Sequence, residues 1–200
     1  MNNTSKKRFI DVSHTVEHGM VTYKGLPAPL ICDYLSREAS REHYAPGTAF
    51  HIGKIEMVAN TGTYIDAPFH RFAAGKDLAE LSLSSLADLE GVVIRVDPSQ
   101  GRAIDASVFS EMPSRRCLPG CGVQAKDLAG KAVLVQTGWS THWRTDQYFE
   151  GHPFLTAEAA QYLQAVGVAL VGIDSLNIDD IADGRRPVHT ILLGGEIPIG

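Results

Sequence analysis

A mixed α and β fold is what this sequence predicts, on three observations. Short β-branched runs recur at 91–96 (Gly-Val-Val-Ile-Arg-Val), 131–136 (Lys-Ala-Val-Leu-Val-Gln) and 168–173 (Val-Ala-Leu-Val-Gly-Ile), each of strand length. A convincing helical pattern over 157–166 lies between the second and third, with Ala160, Leu163 and Val166 on one stripe, Thr156 at its start and Gly167 as its stop. Finally, 200 residues that are 44% hydrophobic and 20% charged describe one soluble globular domain, 1–200, with a sizeable core.

Taken in order, a polar leader (1–8) precedes a short first strand at 9–13 and an extended piece at 19–25, so that residues 1–29, closed by Pro27 and Pro29, read as an N-terminal arm. A strand at 29–34 follows, then a charged stretch, 36–46, that reads as a solvated polar loop. Residues 50–58 alternate in the manner of a strand. Beyond them, 72–78 is a turn, 81–89 mixes strand and short-helix signals, and 97–129, with its prolines and glycines, is an irregular segment with one or two short elements. The strand at 131–136 delivers Thr137-Gly138-Trp139 to its C-terminal end, the strand at 168–173 runs out into an Asp-rich turn, and 195–199 reads as the start of a last strand.

Composition excludes several function classes. A net charge of −5 with both signs mixed offers no basic patch for nucleic acid, and a small-molecule substrate is the simpler expectation. No apolar run approaches the about 18 residues of a membrane span, and the polar start lacks a signal-type core; a cytoplasmic protein is expected. Three cysteines argue against a disulfide framework. Cys117 and Cys121, in a Cys-Leu-Pro-Gly-Cys turn with no second pair for zinc, read as loop cysteines.

The chemistry concentrates in Asn60-Thr61-Gly62-Thr63-Tyr64-Ile65-Asp66-Ala67-Pro68-Phe69-His70-Arg71. Here a strand empties a carboxylate, an imidazole and a guanidinium into one loop. Gly62 lets the backbone bend, and Pro68 keeps Ala67 out of helical geometry, so Asp66 and His70 belong on a rigid turn. Such turns collect catalytic groups, although an Asp before a proline also serves as a turn cap, with the histidine half-buried.

The stretch resembles the signature of the cyclase family, which includes bacterial kynurenine formamidases and isatin hydrolases, with the pattern His-x-Gly-Thr-His-x-Asp-x-Pro-x-His. Gly62, Thr63, Asp66, Pro68 and His70 match in order and spacing, while Asn60 and Tyr64 stand where the family has metal-binding histidines. A second block, Arg186-Pro187-Val188-His189, resembles the family's Pro-Val-His before a short helix, and His189 matches a histidine of a second metal position. The carboxylate expected after an Ile-Pro-Ile-x run would fall just past Gly200, which reads as a truncated end.

The resemblance implies a single α/β domain with a mixed β-sheet or flattened β-barrel core and few flanking helices. It implies a hydrolase acting on a carbon–nitrogen bond of a small cyclic or aryl amide, with an arm that often reaches a neighbouring subunit, hence a homodimer or larger assembly. His70 would be the general base and acid, and Asp66 its orienter or a metal ligand. Zinc or manganese would be held by Asp66 and His189, with His70 recruited as a third ligand or Asn60 offering its amide oxygen if an ion binds; two protein ligands are fewer than a stable zinc site uses, so weak or absent metal binding is expected, rising if Asn60 and Tyr64 became histidines. Substrate contacts are expected from Tyr64, Asn60, Arg71, Tyr23 and Trp139. Three of them also have a structural reading: Tyr64 as a cavity plug, Arg71 as a clamp to an aspartate, Tyr23 as an interface or core aromatic. Two other functions remain open, a metal-free lyase or isomerase using His70 for proton transfer, and a small-ligand-binding protein that keeps the fold.

Overall fold

The computed structural model describes residues 9–97, 99, 101–110 and 128–200. The chain divides into two compact units, Met1–Tyr64 and Ile65–Gly200. Cys117, Cys121 and much of the stretch expected to be irregular lie outside the described residues.

In the first unit an antiparallel pair, β1 (Leu30–Leu35) and β2 (Ile52–Glu56), sets Ile31 opposite Ile55, with an irregularity between Asp33 and Leu35. The expected strand at 9–13 does not form: the Ser13 N–H donates to Asp11 Oδ1 at 2.9 Å, a local side-chain turn that competes with strand pairing. The stretch read as a polar loop contains a short helix, α1 (Arg37–Ser40), because Ser36 caps it by accepting the Ala39 N–H. Its last residue, Ser40, is fully buried; the hydroxyl donates to Arg37 O and accepts the Phe50 N–H, tying the helical turn to the approach of β2. The front half of the Asn60–Arg71 stretch is clasped by the arm. Gly62 has φ +70°, its N–H donates to Thr22 Oγ1 at 3.2 Å, and a Cβ there would fall 2.5 Å from Val16 Cγ2, so only glycine meets both demands.

The second unit carries the core. Its strands are β3 (Gly91–Arg95), β4 (Ala103–Ile104), β5 (Ala132–Gln136), β6 (Phe154–Leu155) and β7 (Leu170–Ile173). A parallel sheet in the order β3-β5-β7 aligns Val92 with Val133 and Val133 with Val171, and β4 pairs with β6 in a second parallel sheet. The helices are α2 (Ser107–Ser110), α3 (Ala157–Val166) and α4 (Pro187–Gly194). Ile94, Val133, Val135 and Val171 from the sheet close against Ala159, Ala160 and Leu163 of α3 and Val188, Leu192 and Leu193 of α4. Each large aliphatic side chain so buried contributes about 1.5–3 kcal/mol. The architecture is α/β, with sheets of both pairings and few helices.

Helix α3 begins and ends as its sequence dictates. Thr156 Oγ1 accepts the Ala159 N–H, and Gly167 closes the helix at φ 79°. The Val168 N–H returns to Leu163 O at 3.3 Å, completing a C-terminal cap that delays the strand to Leu170. At the C-terminal end, residues 195–199 do not make the expected strand; only Ile199 bridges, on one side to Val171 and on the other to Asp66. The Val171 N–H donates to Pro198 O and the Gly200 N–H to Val171 O, while the Asp66 N–H donates to Ile199 O at 2.7 Å. This thin extension tethers the Asp66 backbone to the edge of the parallel sheet.

Candidate active site

Asp66 is buried on that tether, and Pro68 starts a single 3-10 turn, Pro68–His70, that brings His70 back over it. The turn is held by a close approach: the Phe69 N–H donates to Lys76 O, and a Cβ on Gly75 would lie 2.7 Å from the Pro68 carbonyl carbon. His70 Nδ1 lies 3.5 Å from Asp66 Oδ1, with the His70 side chain 43% exposed. From α4, His189 sets Nε2 3.6 Å from Asp66 Oδ2. The two imidazole centroids are 5.8 Å apart. One ligand atom from each of Asp66, His70 and His189 lies within 4.8 Å of the others.

Behind His189 stands Asp179, fully buried, with Oδ2 at 2.6 Å from His189 Nδ1. The same carboxylate accepts the Val188 and His189 N–H groups at 2.7 and 3.1 Å. It thereby serves two of the free donors at the start of α4, where Arg186, in left-handed geometry, offers no side-chain cap. Burial of the His189 ring lowers its pKa, but the hydrogen bonds to Asp179 and Asp66 and the attraction of both carboxylates outweigh that, raising it to about 9.

The chemistry of this donor set fits a divalent ion. A carboxylate and two imidazoles are the ligand types of a catalytic zinc site, which uses three protein ligands and leaves one position open. Of the two further donors considered beside Asp66 and His189, namely His70 and Asn60, it is His70 that stands with that pair.

The other residues singled out by the motif fall elsewhere. Arg71 clamps to a threonine: its Nε donates to Thr190 Oγ1 at 3.1 Å, one residue past His189, in place of the expected aspartate. Trp139 follows β5, where Asp174 accepts the Thr137 and Gly138 N–H groups and the Thr137 hydroxyl. Its indole N–H donates to Tyr148 O, and its ring packs edge-on against His142. Tyr23, Asn60 and Tyr64, all half-buried, belong to the first unit. Sequence reading assigned no role to Asp179. An acidic residue shortly before a Pro-x-His helix start was the available signal, but three other aspartates share that turn.

The second unit thus has an α/β core that carries a carboxylate–imidazole cluster of a kind suited to acid–base chemistry or to holding a divalent ion. The family described as "Putative cyclase" matches residues 10–180, and the chain belongs to this cyclase family. Among its relatives, a kynurenine formamidase of Bacillus cytotoxicus is 30% identical over 182 residues, 90% of this chain and 75% of that protein. A solved structure described as a potential metal-dependent hydrolase with cyclase activity is 25% identical, with a TM-score of 0.66, covering 95% of this chain and 78% of the other. Isatin hydrolase A of Labrenzia aggregata shares the fold, with a TM-score of 0.68 at 19% identity over 96% of this chain and 78% of its own.

Proposed function

We propose that this chain hydrolyses the carbon–nitrogen bond of a small cyclic or aryl amide, as an arylformamidase-like member of the cyclase family. The observation that carries the reading is the convergence of Asp66, His70 and His189 in a chain whose relatives include kynurenine formamidases.

In this reading Asp66 Oδ1 orients His70 through Nδ1, leaving Nε2 to accept the proton of an attacking water and return it to the departing amide nitrogen. Such proton transfer is worth about 10²–10⁴-fold in rate. The separation of 3.5 Å is one that a bound substrate can tighten. Asp66 and His189 are the buried pair that would hold a divalent ion; when bound, the ion polarises the amide carbonyl and lowers the pKa of water to about 7. Arg71, from the motif, and Trp139, after β5, are proposed as substrate contacts from the sequence alone.

The three-donor cluster favours a second reading for His70, as a metal ligand rather than the base. One experiment separates them: turnover of an N-formyl aryl amide by the wild type and His70→Ala, with zinc content measured on both after dialysis. Lost turnover with retained zinc supports the base, and zinc lost together with turnover supports the ligand. A wild type inactive on such amides would return the chain to the lyase or ligand-binding alternatives.

A homodimer or larger assembly belongs to the same proposal. Its support is the β1–β2 pair, where Ile52 and Ile55 are 46% and 66% exposed and Phe50 and Met57 nearby are 51% and 55% exposed. A two-stranded pair with this much open apolar surface is marginal alone.

A further inference from the structure

The turn after β7 carries four carboxylates with separate duties. Asp174 holds the Thr137–Gly138 turn, Asp180 pairs with Arg102 at 3.5 Å, and Asp183 pairs with Arg185 at 2.9 Å. Asp179 alone of the four is fully buried and faces His189. It is held from both sides: its N–H donates to Asn177 Oδ1 at 2.9 Å, and its carbonyl accepts from Nε2 of the buried His152 at 3.1 Å.

We propose that Asp179 is a positioning residue, which keeps the proton of His189 on Nδ1 and so turns Nε2 toward Asp66. An ionised carboxylate only accepts hydrogen bonds, so the ring nitrogen facing it must carry the hydrogen. The contact to Nδ1, at 2.6 Å, is shorter than either backbone contact of the same carboxylate, at 2.7 and 3.1 Å, as a charge-assisted bond should be. A helix cap alone would need only the two backbone donors. Because those donors and the ring bind one carboxylate, the start of α4 and the direction of His189 are set together. The inference rests on the reading in which His189 Nε2 reaches a metal ion, where a carboxylate behind the imidazole fixes its tautomer and raises its basicity.

The test uses the full chain and Asp179→Asn, with histidine side-chain nitrogens labelled and, separately, a cobalt(II) titration followed by its visible absorption. In the wild type a low-field, exchange-protected proton on His189 Nδ1 is expected with and without metal. In Asp179→Asn that resonance moves to higher field or disappears, and cobalt binds about 10–100-fold more weakly, even though asparagine can still cap a helix. A wild-type His189 without a proton on Nδ1 overturns the proposal, as does a folded Asp179→Asn that binds cobalt within about twofold of the wild type. If the variant does not fold, the wild-type resonance decides. If the wild type takes up no cobalt, the metal reading fails, while the resonance and its response to the substitution still decide the positioning role.

Discussion

His70 sits near the surface of the second unit, its side chain 43% exposed and its closest polar partner 3.5 Å away. Truncating it therefore removes chemistry more than packing. We expect His70→Ala to abolish amide turnover while moving the melting temperature by no more than a degree or two, since surface changes cost within about 0.5 kcal/mol; a fall of many degrees would mean a structural histidine instead. His152 is the opposite case. It is 1% exposed, its Nδ1 has no hydrogen-bond partner among the described residues, and burial pushes its pKa below the ordinary 6.5, outweighing the raising hydrogen bond to Asp179. A lowered value in the folded state means that the unfolded chain binds more protons below pH 6.5. This contribution to stability is thus intact above pH 6.5 and lost as the pH falls from there toward the folded value. His189, raised to about 9, works in the opposite sense over this range, so the test is a difference: from pH 8 to pH 5 the urea midpoint of His152→Phe should rise relative to that of the wild type, and parallel profiles would reject the assignment. The first motif exposed Asp66 and His70, and the Pro-Val-His block exposed His189, because the spacing within each is characteristic. Asp179 and His152 stayed hidden because nothing local marks one aspartate among four, or one loop histidine, as buried.

At the scale of elements, the active turn depends on contacts with residues outside it. The Pro68–His70 turn leans on Gly75, where a methyl group would meet the Pro68 backbone at 2.7–2.9 Å, and backbone cannot rotate away as a side chain can. Gly75→Ala should lower stability by about 1–3 kcal/mol and reduce turnover by displacing His70. Denaturant midpoints and initial rates check this, and a variant with both unchanged would show that the turn tolerates the shift. Helix α3 was readable to the residue, because Thr156 and Gly167 are local signals that the structure uses as caps. The strand expected at 9–13 was misread, because one Asp11 side chain competes for the backbone there, a contest that alternation of residue types does not register. The strand expected at 195–199 failed for a different reason: only Ile199 finds partners on both sides.

For the whole molecule, the exposed aliphatic residues of the β1–β2 pair bear on assembly. If they are covered by a second copy, Ile55→Lys, at a position 66% exposed, should shift the chain toward the monomer in sedimentation while its far-ultraviolet spectrum holds; a wild type already monomeric would reject the dimer. Among the described residues no helix is long and apolar enough to cross a membrane. What the sequence determined by itself was the local grammar: β-branched runs, helix caps, a Gly-Thr-x-x-Asp-x-Pro-x-His loop, and through them the fold class and family. Those features are written within a few residues of one another, where propensity and turn chemistry act. The convergence of Asp66 and His70 with His189, more than a hundred positions away, rested in sequence on resemblance alone. Only the tertiary structure decided that His70 joins the other two as a third donor, and that one aspartate among four stands behind His189. Each of those outcomes depends on which strand edges and helix ends the buried core brings side by side.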